Sequence, residues 1–298
     1  MTLLSSDLTP NLFVIGASKA GSSALHAYLR VHPDICMSRE KEPCFFVDQT
    51  ELTEAWPIMA RQPCSHDWNA YLDLWSDCGA TARYRGEGSV YYSQTPHRSG
   101  VPARIKAACP DARFIYTVRD PVQRAVGHYW QRFKEFQEPL DIDRAVRENA
   151  IYRDTSDYAL QLRAYLDHFD ISRIHIVVAE DLRRERRRVM DEVFQFLDLP
   201  SYDFSAEELT ERHKSPATSR RQRFPLVSRA RDSAAWAMLR RMLPRQTVAA
   251  LRKAATVQFD KSDVDESQAR AWLSDYLAPK KKEFEALIDR TIIAWDGL

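Results

Sequence analysis

Two cations stand where chemistry on a phosphate could be done. Lys19 lies inside Gly16-Ala-Ser-Lys-Ala-Gly-Ser-Ser23, a stretch of small residues, and Arg119 follows the apolar run Arg113-Phe-Ile-Tyr-Thr-Val118. A loop of small residues can aim several backbone N–H groups at one point, and a helix starting behind it adds unpaired donors and a partial positive charge. Such a loop suits an anion, and Lys19 supplies the full charge. Arg119 falls at the carboxyl end of a strand just before a helix, where open α/β sheets take their ligands, and its planar guanidinium suits a phosphate through paired hydrogen bonds. Against the nucleotide-binding pattern G-x-x-x-x-G-K-[ST], the first loop has Gly16 and Gly21 at the right spacing, but Ser22 stands where the lysine belongs.

A lysine three residues after the first glycine, followed by Gly21-Ser22-Ser23, resembles the 5′-phosphosulfate loop of sulfotransferases that use 3′-phosphoadenosine-5′-phosphosulfate (PAPS). Val118 to Tyr129 is similar to the 3′-phosphate motif of the same family. The resemblance implies in-line transfer of a sulfuryl group from PAPS to a hydroxyl, less readily an amine, of a small-molecule, glycan or lipid acceptor, leaving adenosine 3′,5′-bisphosphate (PAP) and requiring no metal. It puts Lys19 and the N–H groups of Ala20, Gly21, Ser22, Ser23 and Ala24 on the phosphosulfate, and Arg119 on the 3′-phosphate. The family's serine, eight residues after that arginine, is Gly127 here; Arg124 or His128 is expected to replace its hydrogen bond, worth about 1.5 to 3 kcal/mol to a charged group. An aromatic near Tyr158 contacts the adenine in the family, and a late basic loop touches the 3′-phosphate, for which Lys214, Arg220 and Arg221 are the candidates by position.

On the acceptor side, Lys41-Glu-Pro-Cys-Phe-Phe46 resembles the segment carrying the base glutamate in heparan-type and many bacterial members, with Cys44 where a histidine is common. This makes Glu42 the group that takes the acceptor proton, desolvated by Phe45 and Phe46. Arg85-Gly-Glu-Gly-Ser-Val-Tyr-Tyr92 is similar to the family's Gly-Glu-x-[Ser/Thr]-Pro-x-Tyr segment, with Val90 for the proline and Gly88 where lysine is frequent. The resemblance implies that Glu87, Ser89 and Tyr92, with Phe46, line the acceptor pocket, and it makes Glu87 the second candidate base. Two other readings stay open on the residues alone: a P-loop kinase using ATP and magnesium, and a nucleotide-binding protein without catalysis.

The elements that must position these residues follow from periodicity. Leu12 to Ile15 is a short apolar strand, and Ser22 opens a helix that runs to Leu29 and is stopped by His32-Pro33. Ile35-Cys-Met37 reads as a second strand. Trp68 to Trp75 reads as a short helix whose aromatic residues suit packing or a substrate wall. Arg113 to Val118 reads as a buried parallel strand; Asp120 then caps a helix with Pro121 at its first position and Gln123 completing a capping box, a use of Asp120 that we prefer to magnesium ligation. A helix over 158–169, a strand over 174–178 and a basic helix ending at Leu197-Asp-Leu-Pro200 continue the alternation. The fold class expected is α/β: a central parallel sheet of about five strands between helices in a P-loop-like, three-layer arrangement, with a helical C-terminal extension. Residues 213–223 read as a basic loop and 220–253 as two helix-like pieces broken at Pro244. The chain ends in two helices near 265–277 and 280–295, with Lys280-Lys-Lys282 as a solvated end.

Composition bounds the rest. The 298 residues carry 43 basic and 42 acidic side chains, a net charge of +1, so nothing global points to nucleic acid. One domain over 1–298 accounts for the length, with 220–262 as a basic insertion or lid and 263–298 as helices on the core. The amphipathic stretch 220–253 offers at most peripheral membrane contact, and no apolar run approaches the about 18 residues of a membrane span. The first residues lack a signal peptide's basic and apolar regions, and Cys36, Cys44, Cys64, Cys78 and Cys109 have no C-x-x-C spacing. Reduced thiols in a cytoplasmic protein are the expectation. Acceptor identity and oligomeric state are not readable.

Overall fold

The computed structural model describes residues 8–79, 81–135, 137–205, 207–208, 218–222 and 256–296; for 218–222 and 256–259 the backbone alone is described. Five strands, β1 (Leu12–Val14), β2 (Ile35–Met37), β3 (Tyr84–Gly88), β4 (Arg113–Val118) and β5 (Ile174–Val178), form one parallel sheet in the order β2-β3-β1-β4-β5. β1 lies in the middle, with Val14 opposite Gly88 of β3 and Ile115 of β4. The chain passes from one side of β1 to the other between β3 and β4. The crevice at the carboxyl ends of β1 and β4 is therefore the topological switch point, where ligands bind in such sheets.

Alternation on the strands builds two cores. Phe13, Phe114 and Tyr116 face one layer of helices, while Leu12, Val14, Ile115 and Val177 face the other. Phe13 is fully buried and stacks on Phe114 with ring centroids 5.7 Å apart, a burial that contributes about 2 to 3 kcal/mol per side chain. Helices α1 (Ser22–Leu29), α2 (Pro121–Lys134), α3 (Tyr158–Leu166), α4 (Arg186–Phe196) and α5 (Ser267–Leu287) pack around the sheet. The expected α/β architecture is the one observed. The segment Trp68 to Trp75 is helical, as a helix Trp68–Leu72 and a 3-10 turn Asp73–Trp75, and fully buried Tyr71 and Trp75 make it core.

Four expectations are corrected. Cys36 and Cys78 form a disulfide, with Cα atoms 5.8 Å apart across 42 positions of sequence, while Cys44, Cys64 and Cys109 are free. The pairing joins β2 to the turn after Trp75, a proximity set by sheet order and invisible in spacing, and it removes reduced thiols as an argument for a cytoplasmic location. The C-terminal pair of helices is one helix, α5, that runs through Pro279. A proline inside a helix forfeits one hydrogen bond and costs about 3 kcal/mol, which the continuous buried face of Ala269, Leu273, Leu277 and Phe284 offsets. Nor are the lysines there a free end: Lys281 Nζ donates to the Trp295 carbonyl at 3.0 Å, and Lys280 lies 3.5 Å from Asp157. Part of the basic loop 213–223 is instead a strand, β6 (Thr218–Gln222), antiparallel to β7 (Thr256–Asp260) and lying beside α2. Its partner comes more than thirty residues later, beyond any local pattern. Lys214 and the basic helical stretch read at 220–253 beyond β6 lie outside the described residues.

Candidate active site

The first loop is built as its residue types require. A Cβ at Gly16 would lie 1.6 Å from Thr117 Oγ1, so only glycine lets the loop leave β1 against β4, where Ala17 N–H bonds the Thr117 carbonyl at 3.0 Å. Gly21 at φ +88° is the N-cap of α1, with no side-chain cap and no acid in the first turn. Lys19 itself is left-handed, at φ +72°, a conformation that costs a non-glycine residue about 1 kcal/mol or more and is held here by the loop. The N–H groups of Ala20 and Ala24 are engaged, on the carbonyls of Ala17 and Gly21 at 3.0 Å. This corrects the assignment of those two as anion donors. Ser22 and Ser23 open the helix, where no preceding turn supplies carbonyls for their N–H groups.

Arg119 arrives from β4 and meets this loop. Its Nη1 lies 3.4 Å from the Lys19 carbonyl and its Nη2 donates to Gln123 Oε1 at 2.7 Å. Asp120 caps α2 through Gln123 N–H at 2.6 Å, as expected, but the reciprocal half of the capping box is absent. Asp120 N–H goes to Glu180 Oε1 at 3.2 Å instead, which frees the Gln123 side chain to hold Arg119. Gly127 brings the two cations together: a Cβ there would rest 3.4 Å from Lys19 Cβ and Cγ and 3.9 Å from Arg119 Nη1.

The electrostatics of this group are those of an anion site. Burial, then the charges of Lys261 and Arg119, hold the Lys19 ammonium below its ordinary pKa, with Glu135 opposing and Lys134 adding to the repulsion. Burial likewise lowers Arg119, against the pull of Glu180, whose carboxylate lies 4.0 Å from Nε. Several positive charges in half-buried surroundings, next to an uncapped helix start, are relieved by a bound polyanion. The residues present fit a nucleotide carrying phosphates at both ends.

The expected substitutes for the missing serine do not take that role. Arg124 is fully buried, its guanidinium bonded to Ser156 Oγ at 2.7 Å, the Tyr152 carbonyl at 2.7 Å and His128 Nδ1 at 3.1 Å. It points into the packing beneath α2 because those acceptors lie there, and burial lowers its pKa to about 10. His128 is buried beside it, and that burial and the Arg124 charge hold it well below the ordinary histidine value. Tyr158 is corrected too. Its ring is enclosed by Tyr116, Phe284 and Trp295, and its hydroxyl donates to the Arg119 carbonyl at 2.6 Å while accepting the Arg119 N–H at 3.2 Å. Tyr158 fixes the peptide of Arg119 rather than facing a base. Arg220 and Arg221 lie on β6 beside α2, with only their backbone described.

On the acceptor side the structure separates one partly exposed candidate from four buried ones. Glu42, at φ +63°, retains 17% side-chain exposure and is paired with Lys41. Phe46, Glu87, Ser89 and Tyr92 are all buried at 2% exposure or less. They underlie the acceptor segment, which corrects their assignment to its lining. Phe45 and Phe46 pack on Tyr71. The charge of Glu42 acts on half-buried Tyr91, as does that of Glu135, which also acts on Lys19, so Tyr91 and Glu135 mark the seam between the two sides. Tyr91 stacks on Trp56 at 6.0 Å, with the Arg98 guanidinium 6.0 Å from its ring centroid.

Sequence reasoning missed Gln123, Glu180, Lys261 and Trp295 around Arg119 and Lys19. Trp295 Nε1 donates to Glu180 Oε2 at 3.2 Å, so the C-terminal segment buttresses the arginine. Only the i, i+4 spacing of Arg119 and Gln123 left a local signal. Among the described residues, no three His, Cys, Asp or Glu side chains are grouped to hold a metal.

An α/β sheet with a small-residue loop, an uncapped helix start and two converging cations at its switch point has the features of an anion site. Residues 10–203 match the family model described as "Sulfotransferase family", and the chain belongs to that family. Among similar proteins, mouse heparan sulfate glucosamine 3-O-sulfotransferase 3A1 is 31% identical over 198 residues, covering 61% of this chain and 45% of the relative. The bifunctional heparan sulfate N-deacetylase/N-sulfotransferase 1 of Caenorhabditis briggsae is 25% identical over 218 residues, covering 65% of this chain and 23% of the relative. The chain thus spans less than half the length of these relatives. A crystal structure of a sulfotransferase from Alicyclobacillus acidocaldarius has the same fold over 96% of this chain and 98% of that one, with TM-score 0.66 and 24% identity.

Proposed function

We propose that this protein transfers the sulfuryl group of PAPS to a hydroxyl of a glycan acceptor, with PAP as the second product. The observation that carries the reading is the approach of the Lys19 side chain and the Arg119 guanidinium to one small residue, Gly127, which sets two cations side by side, one for each end of a nucleotide. The sulfated-glycan relatives favour a sugar acceptor.

The donor, when bound, supplies a sulfur electrophile joined to a phosphate leaving group. The N–H groups of Gly21, Ser22 and Ser23 and the Lys19 ammonium hold the phosphosulfate and stabilise the charge that builds on the bridging and sulfuryl oxygens; one preorganised donor of this kind contributes about 3 to 4 kcal/mol. Arg119 binds the 3′-phosphate and fixes the orientation. Glu42, on the opposite side of the seam, accepts the acceptor's hydroxyl proton as its oxygen bonds to sulfur.

Incubation with radiolabelled PAPS and a panel of glycans, phenols and lipids tests the reading. Label should move to a glycan hydroxyl, and PAP should raise the melting temperature where ATP with magnesium does not. Transfer to no acceptor together with no thermal shift by PAP would overturn it, and a shift without transfer would leave a binding protein.

A further inference from the structure

Glu87 is a carboxylate at 0% exposure that the proposed mechanism does not use. It is nevertheless fully engaged. Oε1 accepts hydrogen bonds from the hydroxyls of Tyr71 at 2.6 Å and Tyr92 at 2.7 Å, and Oε2 accepts from Ser89 at 2.7 Å. Each of these partners also grips the segment that follows Glu42. Ser89 Oγ accepts the Cys44 N–H at 3.2 Å, and Tyr92 oxygen accepts the Phe46 N–H at 3.3 Å. The Tyr71 ring stacks on Phe45, centroids 4.5 Å apart and planes 17° from parallel, and meets Phe46 edge-on.

The segment so held is not one the backbone adopts freely. Glu42 at φ +63° and Cys44 at φ +56° are both left-handed without being glycine, and such residues persist only where their surroundings over-determine them. A hydroxyl that donates to a carboxylate has its oxygen turned in a fixed direction, so its lone pair is aimed as well. Contacts from three side chains to three consecutive residues, all converging on one carboxylate, are what the over-determination consists of.

We infer that Glu87 is a positioning residue: through Ser89, Tyr92 and Tyr71 it fixes residues 44–46 and thereby the strained backbone from which Glu42 reaches the acceptor hydroxyl. The inference rests on the proposed function, with Glu42 as the base. Burial raises the Glu87 carboxyl to about 7 against the pull of the three hydroxyls. An apolar side chain at this position would leave three buried hydroxyls without their acceptor, so the carboxyl and its three donors form one unit.

The experiment compares wild type, Glu87→Gln, Ser89→Ala and Tyr92→Phe in PAP binding by calorimetry and in steady-state sulfate transfer to the acceptor identified by the labelling panel. Glu87→Gln should lower kcat about a hundredfold, the scale of a displacement near 1 Å in a catalytic group. Ser89→Ala and Tyr92→Phe, which each release one backbone contact, should lower kcat about tenfold. PAP affinity should stay within about twofold in all three, because the nucleotide is held across the seam. A kcat within about twofold of wild type in both single-handle variants would overturn the inference even if Glu87→Gln failed to fold. So would an equal loss of kcat and PAP affinity in these variants, which would show general unfolding of the site. If wild type itself neither bound PAP nor transferred sulfate, the proposed function would fall first, a result distinct from either.

Discussion

The two sides of the candidate site are built on opposite plans. On the phosphate side, Lys19, Arg119, Lys134 and Lys261 crowd together, and their mutual repulsion and burial hold Lys19 below its ordinary pKa. On the acceptor side, the buried Glu87 carboxyl has each oxygen met by hydroxyl donors. The same contrast separates two arginines five positions apart. Arg119 keeps 23% of its side chain exposed at the site, whereas Arg124 is fully buried and bonded to Ser156, Tyr152 and His128. Groups that must meet a ligand are left under-satisfied, and groups that must hold a shape are satisfied by the protein itself.

The acceptor side is cross-linked by Cys36–Cys78 and the phosphate side is not. For a loop of 42 positions, removing the link by Cys36→Ser with Cys78→Ser should cost about 4 kcal/mol in unfolding free energy by the chain-entropy relation, while PAP affinity holds. Calorimetric unfolding with equal stability in the double variant would show that the link carries no load. Lys19→Ala should lower sulfate transfer at least about a hundredfold, equivalent to about 3 kcal/mol, with a melting temperature no lower than wild type, because removing the ammonium relieves its burial and its repulsion by Lys261, Arg119 and Lys134. Near-normal turnover in that variant would remove its role.

A smaller effect sharpens the contrast through pH. Burial raises Glu87 from 4.5 to about 7, so between those values the folded chain keeps a proton that the unfolded chain has released. Stability therefore falls as pH rises through that window, by about 3 kcal/mol at about 1.4 kcal/mol per unit. Urea unfolding at about pH 4.5 and about pH 7.5 should show this slope in wild type and lose it in Glu87→Gln. A slope surviving the substitution would assign it to other groups. Finally, Arg119→Ala should weaken PAP binding by about 10- to 100-fold, the loss of a charged hydrogen-bonded partner, with little change in melting temperature. Arg124→Ala should do the reverse, losing stability by removing the buried donor to Ser156 Oγ and His128 Nδ1 and one of the two side-chain donors to the Tyr152 carbonyl, which Ser156 Oγ also serves at 2.9 Å. Equal effects on affinity from the two would erase the distinction.

The sheet and the phosphate loop were legible in the sequence because their signals are local. Leu12 to Leu25 carries strand, small-residue loop and helix start within fourteen positions, and Val118 to Gln123 carries strand end, cap and proline within six. What was not legible depends on neighbours brought together by sheet order. Glu87 reads as a pocket residue from its motif, yet its partners Tyr71 and Tyr92 and the backbone at Cys44 and Phe46 surround it once β3 lies between β2 and β1. Arg124 looks like a spare phosphate ligand on α2 until Ser156 and Tyr152 supply acceptors on its far side. The disulfide, the passage of α5 through Pro279 and the support of Arg119 by Glu180 and Trp295 share that origin.

A crystal structure with adenosine 3′,5′-bisphosphate would show whether Lys19 and Arg119 hold one nucleotide between them. The 5′-phosphate should lie against the first turn of α1 within hydrogen-bonding distance of Lys19 Nζ, and the 3′-phosphate should be bonded by the Arg119 guanidinium beside Gly127. A nucleotide bound elsewhere, or one that touches Lys19 but leaves Arg119 in its present contact with Gln123, would contradict the account.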